Sequence, residues 1–163
     1  MSQLFVVMGV SGSGKTTMAR LMAESVGGFF LDADDFHPPA NKAKMASGTP
    51  LVDDDRWPWL KRCNAELRVR AGEGRPVFLA CSALKQIYRD RLREGLPGLK
   101  FVYLKGSFDL LSARLGARKG HFMPASLLQS QLATLEEPQD AIVLDISQTQ
   151  GQMLEDFRAK RKD

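Results

Sequence analysis

The fold is decided by the stretch Gly9-Val10-Ser11-Gly12-Ser13-Gly14-Lys15-Thr16, which fits the pattern G-x-x-x-x-G-K-[ST]. The apolar, β-branched run at residues 4–8 precedes it and predicts a buried parallel strand. Residues 17–26 follow, with apolar side chains at helical spacing. A strand, a glycine-rich turn and a helix are the context in which backbone N–H groups bind phosphate. An ordinary glycine-rich turn is the alternative, and the correct flanking elements favour nucleoside triphosphate binding.

This phosphate loop supplies most of the candidate nucleotide-binding residues. They are Gly9, Val10, Ser11, Gly12, Ser13, Gly14, Lys15, Thr16 and Thr17. Lys15 is long enough to reach the outer phosphates and is a candidate catalytic residue. The hydroxyl group of Thr16 is a candidate Mg²⁺ ligand. The motif therefore predicts a nucleoside triphosphate and Mg²⁺ as the cofactors.

The composition is that of an ordinary globular protein of 163 residues, with 44% hydrophobic and 26% charged residues. This length suits one domain over residues 1–163. The net charge of +4 fits phosphorylated or acidic small ligands. Aromatic-basic RNA-binding motifs are absent, so no nucleic-acid partner is expected. Cys63 and Cys81 lack metal-ligand spacing and are expected to be buried core thiols.

The N-terminal sequence and the lengths of the apolar runs predict the cellular location of the protein. The first strand starts almost at once, which leaves no room for a signal peptide. No apolar run has the length of a membrane span, so no membrane association is expected. A cytoplasmic location is therefore expected.

Strands and helices alternate along the chain. The predicted strands are residues 4–8, 29–31, 76–81, 100–104 and 141–145. The predicted helices are residues 17–26, 39–46, 57–71, 84–94, 108–118 and 125–135, with a last helix that contains Met153, Leu154 and Phe157. This alternation predicts an α/β fold with a parallel sheet covered on both faces. Ligands bind such sheets at the carboxyl ends of the strands.

Polar residues follow two of these strand ends. Asp32 and Asp34 come after the second strand, and one of them can hold Mg²⁺ through water while the other accepts a proton from a substrate hydroxyl. We assign the metal role to Asp32 and the base role to Asp34, the alternative being a turn-capping cluster. His37 either binds a substrate hydroxyl or is structural. Ser82 and Lys85 follow the third strand and are expected in the same crevice.

Basic residues cluster near residue 118. Arg114 and Arg118 are four residues apart on one predicted helix face, and Lys119 and His121 follow. A solvated basic face is one interpretation. The other is a small lid at about residues 116–124 that closes over the phosphates, with Arg118 as a catalytic residue.

Taken together, several stretches resemble the gluconokinase family, whose relatives include shikimate kinase and the nucleoside monophosphate kinases. The matching stretches are residues 9–16, 31–34, 37–38, 41, 44–48, 53–56, 58–60, 81–85, 88–89, 103–106, 117–122 and 134–138. Residues 81–85 and 118–122 are more specific than the phosphate loop, which many families share. Ala33 replaces a glycine associated with the family, a small change that leaves the site intact.

The resemblance implies ATP-dependent phosphorylation of the terminal hydroxyl of D-gluconate, giving 6-phosphogluconate. It implies the P-loop NTPase fold, with five parallel strands in the order 2-3-1-4-5, and a homodimer. Carried over by position, Arg114 stacks on adenine, and Gln148 and Thr149 line the far side of the base. The residues that would hold the sugar acid are Asp34, His37, Arg56, Ser82, Lys85 and Arg89, since a carboxylate favours arginine or lysine.

Two other function classes remain open at this point. The first is another small-molecule kinase of this fold, such as a shikimate kinase or a nucleotide kinase. The second is a non-catalytic nucleotide switch, which would need neither Asp34 nor a basic lid. A panel of sugar acids, shikimate and nucleotides tested for ADP release separates them.

Overall fold

The computed structural model describes residues 3–117 and 125–161. The strands are β1 (Leu4–Met8), β2 (Phe29–Asp32), β3 (Val77–Ala80), β4 (Lys100–Lys105) and β5 (Ile142–Asp145). The helices are α1 (Lys15–Val26), α2 (Pro39–Ala46), α3 (Asp53–Ala71), α4 (Gln86–Arg93), α5 (Phe108–Ala117), α6 (Ala125–Thr134) and α7 (Gln150–Lys160). A 3-10 turn, Ala33–Phe36, follows β2.

The five strands form one parallel sheet in the order β2-β3-β1-β4-β5. The order expected from the resemblance is therefore confirmed. Val6 of β1 is paired with Leu79 on one side and with Phe101 on the other. The strand that leads into the phosphate loop thus lies at the centre of the sheet, and that loop leaves from its carboxyl end.

The sheet is covered on both faces because successive side chains of a strand point to opposite sides. Phe5 and Val7 face one core, where Phe5 stacks on Phe78 with ring centroids 5.0 Å apart and Phe157 of α7 meets both rings edge-on. Val6 and the other even-numbered β1 residues face a second core built by α3 and α4. Helices on both faces leave the carboxyl edge of the sheet as the place where ligands bind.

Several helix boundaries differ from the sequence-based expectation, among them the starts of α1, α3 and α4. Helix α3 begins at Asp53, four residues before the predicted start, and contains Pro58. Three aspartates occupy its first turn, where negative charge favours the helix dipole, and Asp55 Oδ2 accepts the Val52 N–H at 2.9 Å. Helix α4 begins at Gln86 rather than at residue 84.

The prediction of the buried face of α4 is wrong at one position. The spacing of Leu84, Ile87, Tyr88 and Leu92 predicts that Ile87 points inward, yet it is 45% exposed. The buried positions of α4 are Tyr88, Arg89 and Leu92. Arg89, two residues after Ile87, is thus an arginine whose side chain points inward.

Both cysteines are buried, as expected. Burial raises the pKa of the Cys81 thiol to about 12 and also raises that of Cys63, so both thiols are protonated at neutral pH. Within residues 3–117 and 125–161, every helix is too short or too polar to cross a membrane.

Candidate active site

A crevice of about 440 Å³ opens at the carboxyl ends of β1, β2 and β3. Its walls come from the phosphate loop, the 3-10 turn, α3, the end of β3 and α6. The lining residues are Ser11, Gly12, Gly14, Lys15, Thr16, Thr17, Asp32, Asp34, His37, Met45, Leu51, Arg56, Trp59, Ala80, Cys81, Ser82 and Gln131. Residues expected to bind nucleotide and residues expected to bind substrate therefore share one cavity.

The phosphate loop needs glycine for two different physical reasons. Gly12 and Gly14 have φ angles of +85° and +88°, which L-residues with a side chain rarely adopt. A Cβ atom on Gly12 would also lie 2.9 Å from Leu115 Cγ, so α5 packs directly against the loop. Lys15 Nζ donates to the Val10 carbonyl oxygen at 3.2 Å. The N-terminus of α1 follows the loop directly, and such a helix end suits an anion.

Asp32 and Asp34 are brought together at the end of β2. Asp32 Oδ1 accepts the Asp34 N–H at 3.0 Å, so Asp32 caps the 3-10 turn and also lines the crevice. Burial raises the pKa of Asp32, and the nearby charges of Asp34 and Asp35 raise it further. Asp34 is exposed to the crevice. The capping interpretation and the functional one are thus compatible for this pair.

His37 is a buried side chain on the wall of the crevice. Its ring stacks on Trp59 with centroids 4.2 Å apart, and its Nδ1 accepts from Asn41 Nδ2 at 3.2 Å. Burial lowers the pKa of His37, and the positive charges of Arg56 and Lys42 lower it further. A neutral ring that accepts at Nδ1 carries its proton on Nε2.

Arg56 is a cation on the crevice wall whose Nε has no hydrogen-bond partner among the described residues. This Nε is buried, and the guanidinium lies 5.3 Å from the centre of the Tyr88 ring. An unpaired buried donor costs free energy until an acceptor reaches the guanidinium. Arg56 is therefore well prepared to bind an anionic ligand.

Lys85 is held by a neighbouring carboxylate and is not among the residues that line the crevice. Its Nζ lies 3.4 Å from Asp53 Oδ1, which also accepts the Tyr88 hydroxyl at 2.5 Å. Burial and this hydrogen bond raise the pKa of Tyr88 to about 12. The Asp53 carboxylate thus lies between the Lys85 ammonium and the Tyr88 hydroxyl.

The structure does not bring Arg89 into the crevice. Its side chain is 2% exposed, and it donates to the carbonyl oxygens of Ala83 at 2.7 Å and Glu136 at 2.7 Å. Ala83 has a φ angle of +47°, an unusual value for alanine. Arg89 therefore holds the loop that carries Ser82, rather than presenting its guanidinium to a ligand in this crevice.

The residues expected around adenine lie near the ends of β4 and β5. Arg114 Nη2 donates to the Ile146 carbonyl oxygen at 2.5 Å, which ties α5 to the loop before α7. Thr149 caps α7 by accepting the Gln152 N–H at 3.1 Å. Gln148 directly precedes it. Arg118, Lys119 and His121, and with them most of the expected lid, lie outside the described residues.

Of the lining residues that sequence reasoning missed, Trp59 and Gln131 make hydrogen bonds through their side chains. Trp59 Nε1 donates to the carbonyl oxygen of Ala33, between the two aspartates, at 2.7 Å. Gln131 of α6 contacts Ser11 of the phosphate loop through its side-chain amide. A tryptophan within a helix is usually a core residue, and a glutamine in a helix gives no signal at all.

The donor set of the crevice fits Mg²⁺ bound together with phosphates. Kinase sites hold this ion through one or two carboxylates, water and substrate phosphates. The hydroxyl of Thr16 and the carboxylate of Asp32 line the same cavity. In the described part of the chain, no group of three or more His, Cys, Asp or Glu side chains is arranged to hold a metal by itself.

Comparison with known proteins supports the resemblance found in the sequence. A family model described as an AAA domain matches residues 4–138. The thermoresistant gluconokinase of Escherichia coli is 49% identical over 149 residues, which cover 89% of this chain and 85% of that protein. The gluconokinase of Gluconobacter oxydans is 52% identical over 139 residues, or 85% of this chain and 78% of that protein.

Solved structures agree with these relatives. The crystal structure of a gluconokinase from Sinorhizobium meliloti is 47% identical and has a TM-score of 0.86. That alignment covers 96% of this chain and 90% of the other. The resemblance read from the sequence is thereby confirmed, and the chain belongs to the gluconokinase family.

Proposed function

We propose that the protein transfers the γ-phosphoryl group of ATP to the terminal hydroxyl of D-gluconate, giving 6-phospho-D-gluconate and ADP. One observation carries the proposal: Arg56, with its unpaired buried Nε, lines the same crevice as Lys15 and Asp34. A cation, a phosphate loop and an exposed carboxylate match a substrate with an acid group at one end and a reactive hydroxyl at the other. Membership of the gluconokinase family supports the same substrate.

Arg56 binds the carboxylate of the sugar acid in this mechanism, because guanidinium and carboxylate form strong charge-assisted hydrogen bonds. His37 donates from Nε2 to a sugar hydroxyl, and Ser82 offers a further hydroxyl group. Lys85, which is paired with Asp53, adds positive charge near the sugar acid without lining the crevice. We assign Arg89 to the support of the Ser82 loop, which replaces its expected role as a direct ligand.

Asp34 orients the terminal hydroxyl and accepts its proton. Phosphoryl transfer has a loose transition state, so the proton of the hydroxyl leaves late. The positions of the reacting groups matter more than the strength of the base. Asp34 is the exposed carboxylate on the crevice wall, whereas Asp32 is committed to the backbone N–H of Asp34.

The phosphate loop binds the triphosphate through its N–H groups, and Lys15 neutralises charge on the phosphoryl group during transfer. Thr16 and Asp32 would hold Mg²⁺, which when bound neutralises charge on the phosphates. Arg114, Gln148 and Thr149 would bind the adenine. Arg118 would close over the phosphates as part of the lid at about residues 116–124, within a single domain that spans residues 1–163.

A coupled ADP-release assay tests this proposal with D-gluconate, shikimate and a nucleoside monophosphate as acceptors. We expect turnover with gluconate and little with the other two. Lys15→Ala should lower kcat by on the order of a thousandfold, as for the loss of one strong electrostatic donor. Comparable turnover with all three acceptors would overturn the substrate assignment.

We also propose a homodimer and a cytoplasmic location, both on the sequence-based expectations given above. Sedimentation of the purified protein tests the first of these. The chain mass is 18.1 kDa, so a species of twice that mass is expected. A species of 18.1 kDa at micromolar concentration would contradict the dimer.

A further inference from the structure

Gln131 is a polar crevice residue to which the mechanism above gives no role. It lies on α6, and its side-chain amide makes two contacts with the same residue of the phosphate loop. Gln131 Oε1 accepts the Ser11 N–H at 2.8 Å, and Gln131 Nε2 donates to Ser11 Oγ at 3.1 Å. We propose that Gln131 is a positioning residue for phosphoryl transfer, which acts by fixing Ser11. This inference rests on the proposed kinase activity.

The two contacts hold Ser11 at the corner of a tight turn. The Ser13 N–H donates to the Val10 carbonyl oxygen at 3.2 Å, which places Ser11 and Gly12 at the centre of that turn. A single hydrogen bond allows rotation about its axis, whereas a pair to the backbone and side chain of one residue fixes its orientation. Gln131 therefore sets the direction of the peptide units that follow Ser11.

The same turn also contacts the side chain of the catalytic lysine, Lys15. Val10, which closes the turn through its carbonyl oxygen, accepts a hydrogen bond from Lys15 Nζ. A shift of Ser11 would thus move both the loop N–H groups and the lysine head group. Misplacement of reacting groups by about 1 Å can cost roughly a hundredfold in rate, so a clamp at this corner affects the transfer step.

The segment that directly follows the C-terminal end of α6 is anchored to the acceptor side of the crevice. Just after this helix, the Glu136 N–H donates to the Leu84 carbonyl oxygen at 2.8 Å, and Glu136 Oε1 accepts the Gln86 N–H at 2.8 Å. These contacts join α6 to the loop that presents Ser82. Gln131 thereby links the phosphate-binding side to the sugar-acid side, and its loss should disturb their alignment.

Gln131→Met tests the proposal because methionine fills a similar volume without the two hydrogen bonds. We expect kcat to fall about tenfold while the KM for gluconate stays within about twofold, since the alignment of bound reactants is disturbed and not the binding of the acid. The matched control is Gln129→Met, an exposed glutamine on the same helix, which should keep wild-type kcat. The thermal unfolding of all variants is measured in parallel.

Ser11→Ala removes the hydroxyl contact alone and should lower kcat by about threefold, consistent with one modest hydrogen bond. It keeps the proposal testable if Gln131→Met folds poorly. If Gln131 acts through Ser11, the double variant should lose less than the product of the two single losses. Multiplicative losses, an unchanged kcat in Gln131→Met, or a rise confined to the gluconate KM would each overturn the proposal.

The same experiment separates this inference from the proposed function. Turnover of gluconate by the wild type tests the substrate. The ratio of kcat in Gln131→Met to kcat in the wild type tests whether Gln131 positions Ser11. Should the wild type fail with gluconate, the ratio is read from its basal ATP hydrolysis, which depends on the same phosphate loop. An equal rate in both proteins then overturns the role of Gln131.

Discussion

The indole Nε1 of Trp59 donates to the carbonyl oxygen of Ala33, at 2.7 Å, in the peptide that separates Asp32 from Asp34. Both Trp59 and Ala33 are buried. A helix on one face of the sheet thus fixes the backbone of the turn that carries the proposed base. The same indole ring stacks on His37, so one side chain supports two walls of the crevice.

Trp59→Phe should therefore lower kcat by about tenfold, because the Asp34 backbone loses its anchor while the aromatic packing is largely kept. The unpaired Ala33 carbonyl oxygen should also cost about 1–3 kcal/mol of unfolding free energy. The ATP dissociation constant should stay close to that of the wild type. Trp57→Phe, two residues earlier in α3, is the matched control, and an equal loss of kcat in that variant would contradict the role of Trp59.

The two aspartates should respond differently to the same substitution. Asp34→Asn keeps the shape but cannot accept the proton, so kcat should fall by roughly a hundredfold or more without rescue by metal. Asp32→Asn should raise the Mg²⁺ requirement and recover partly at excess Mg²⁺. Both are measured as kcat against Mg²⁺ concentration, and rescue of Asp34→Asn by metal would reverse the two assignments.

His37 should make the protein less stable as the pH falls below the ordinary histidine value of 6.5. Its pKa is lowered in the folded state, so the unfolded chain binds more protons in this range and stability drops with falling pH. The slope is positive between the lowered and the ordinary pKa and cannot exceed about 1.4 kcal/mol per pH unit, the limit for one proton. Urea unfolding between pH 7.5 and 5.5 measures it.

His37→Gln is the comparison for this slope, because the titration of all other groups is shared with the wild type. The difference between the two stability curves should be flat above pH 7 and should change steadily below 6.5. Parallel curves throughout would mean that His37 carries no lowered pKa.

Arg56 and Arg89 should separate into a binding residue and a structural one. Arg56→Met should raise the gluconate KM by at least about tenfold, the scale of a lost charge-assisted hydrogen bond. Arg89→Met should instead lower the unfolding free energy by on the order of 3 kcal/mol, because several backbone carbonyl oxygens lose their donor. Gluconate kinetics and urea unfolding of both variants test this, and a large KM change in Arg89→Met with unchanged stability would contradict it.

The order of strands and helices could be predicted because buried parallel strands and amphipathic helices have different periodicities. The position of Asp32, Asp34 and Ser82 in one crevice followed from their place after strand ends. The order of the strands did not follow from periodicity and came from the family resemblance. Local patterns do not encode which distant strands pair.

Residues on helices were harder to place than residues after strands. Arginine is rarely buried, yet Arg89 points inward and its guanidinium donates to the carbonyl oxygens of Ala83 and Glu136. Gln131 and Trp59 act through contacts with residues 120 and 26 positions away. Such contacts depend on the packing of whole elements, which a single motif does not specify.

The central place of β1 has a consequence for how the protein is made. The ribosome produces β1 first, yet its two neighbours in the sheet are β3 and β4, of which β4 ends at Lys105. At synthesis rates of roughly 5–20 residues per second, β4 is complete about 5 to 20 seconds after β1. During that time an apolar strand with two open edges is exposed, and the phosphate loop has no rigid support. A nascent chain that stalls before Lys100 should therefore need chaperone protection and bind no nucleotide.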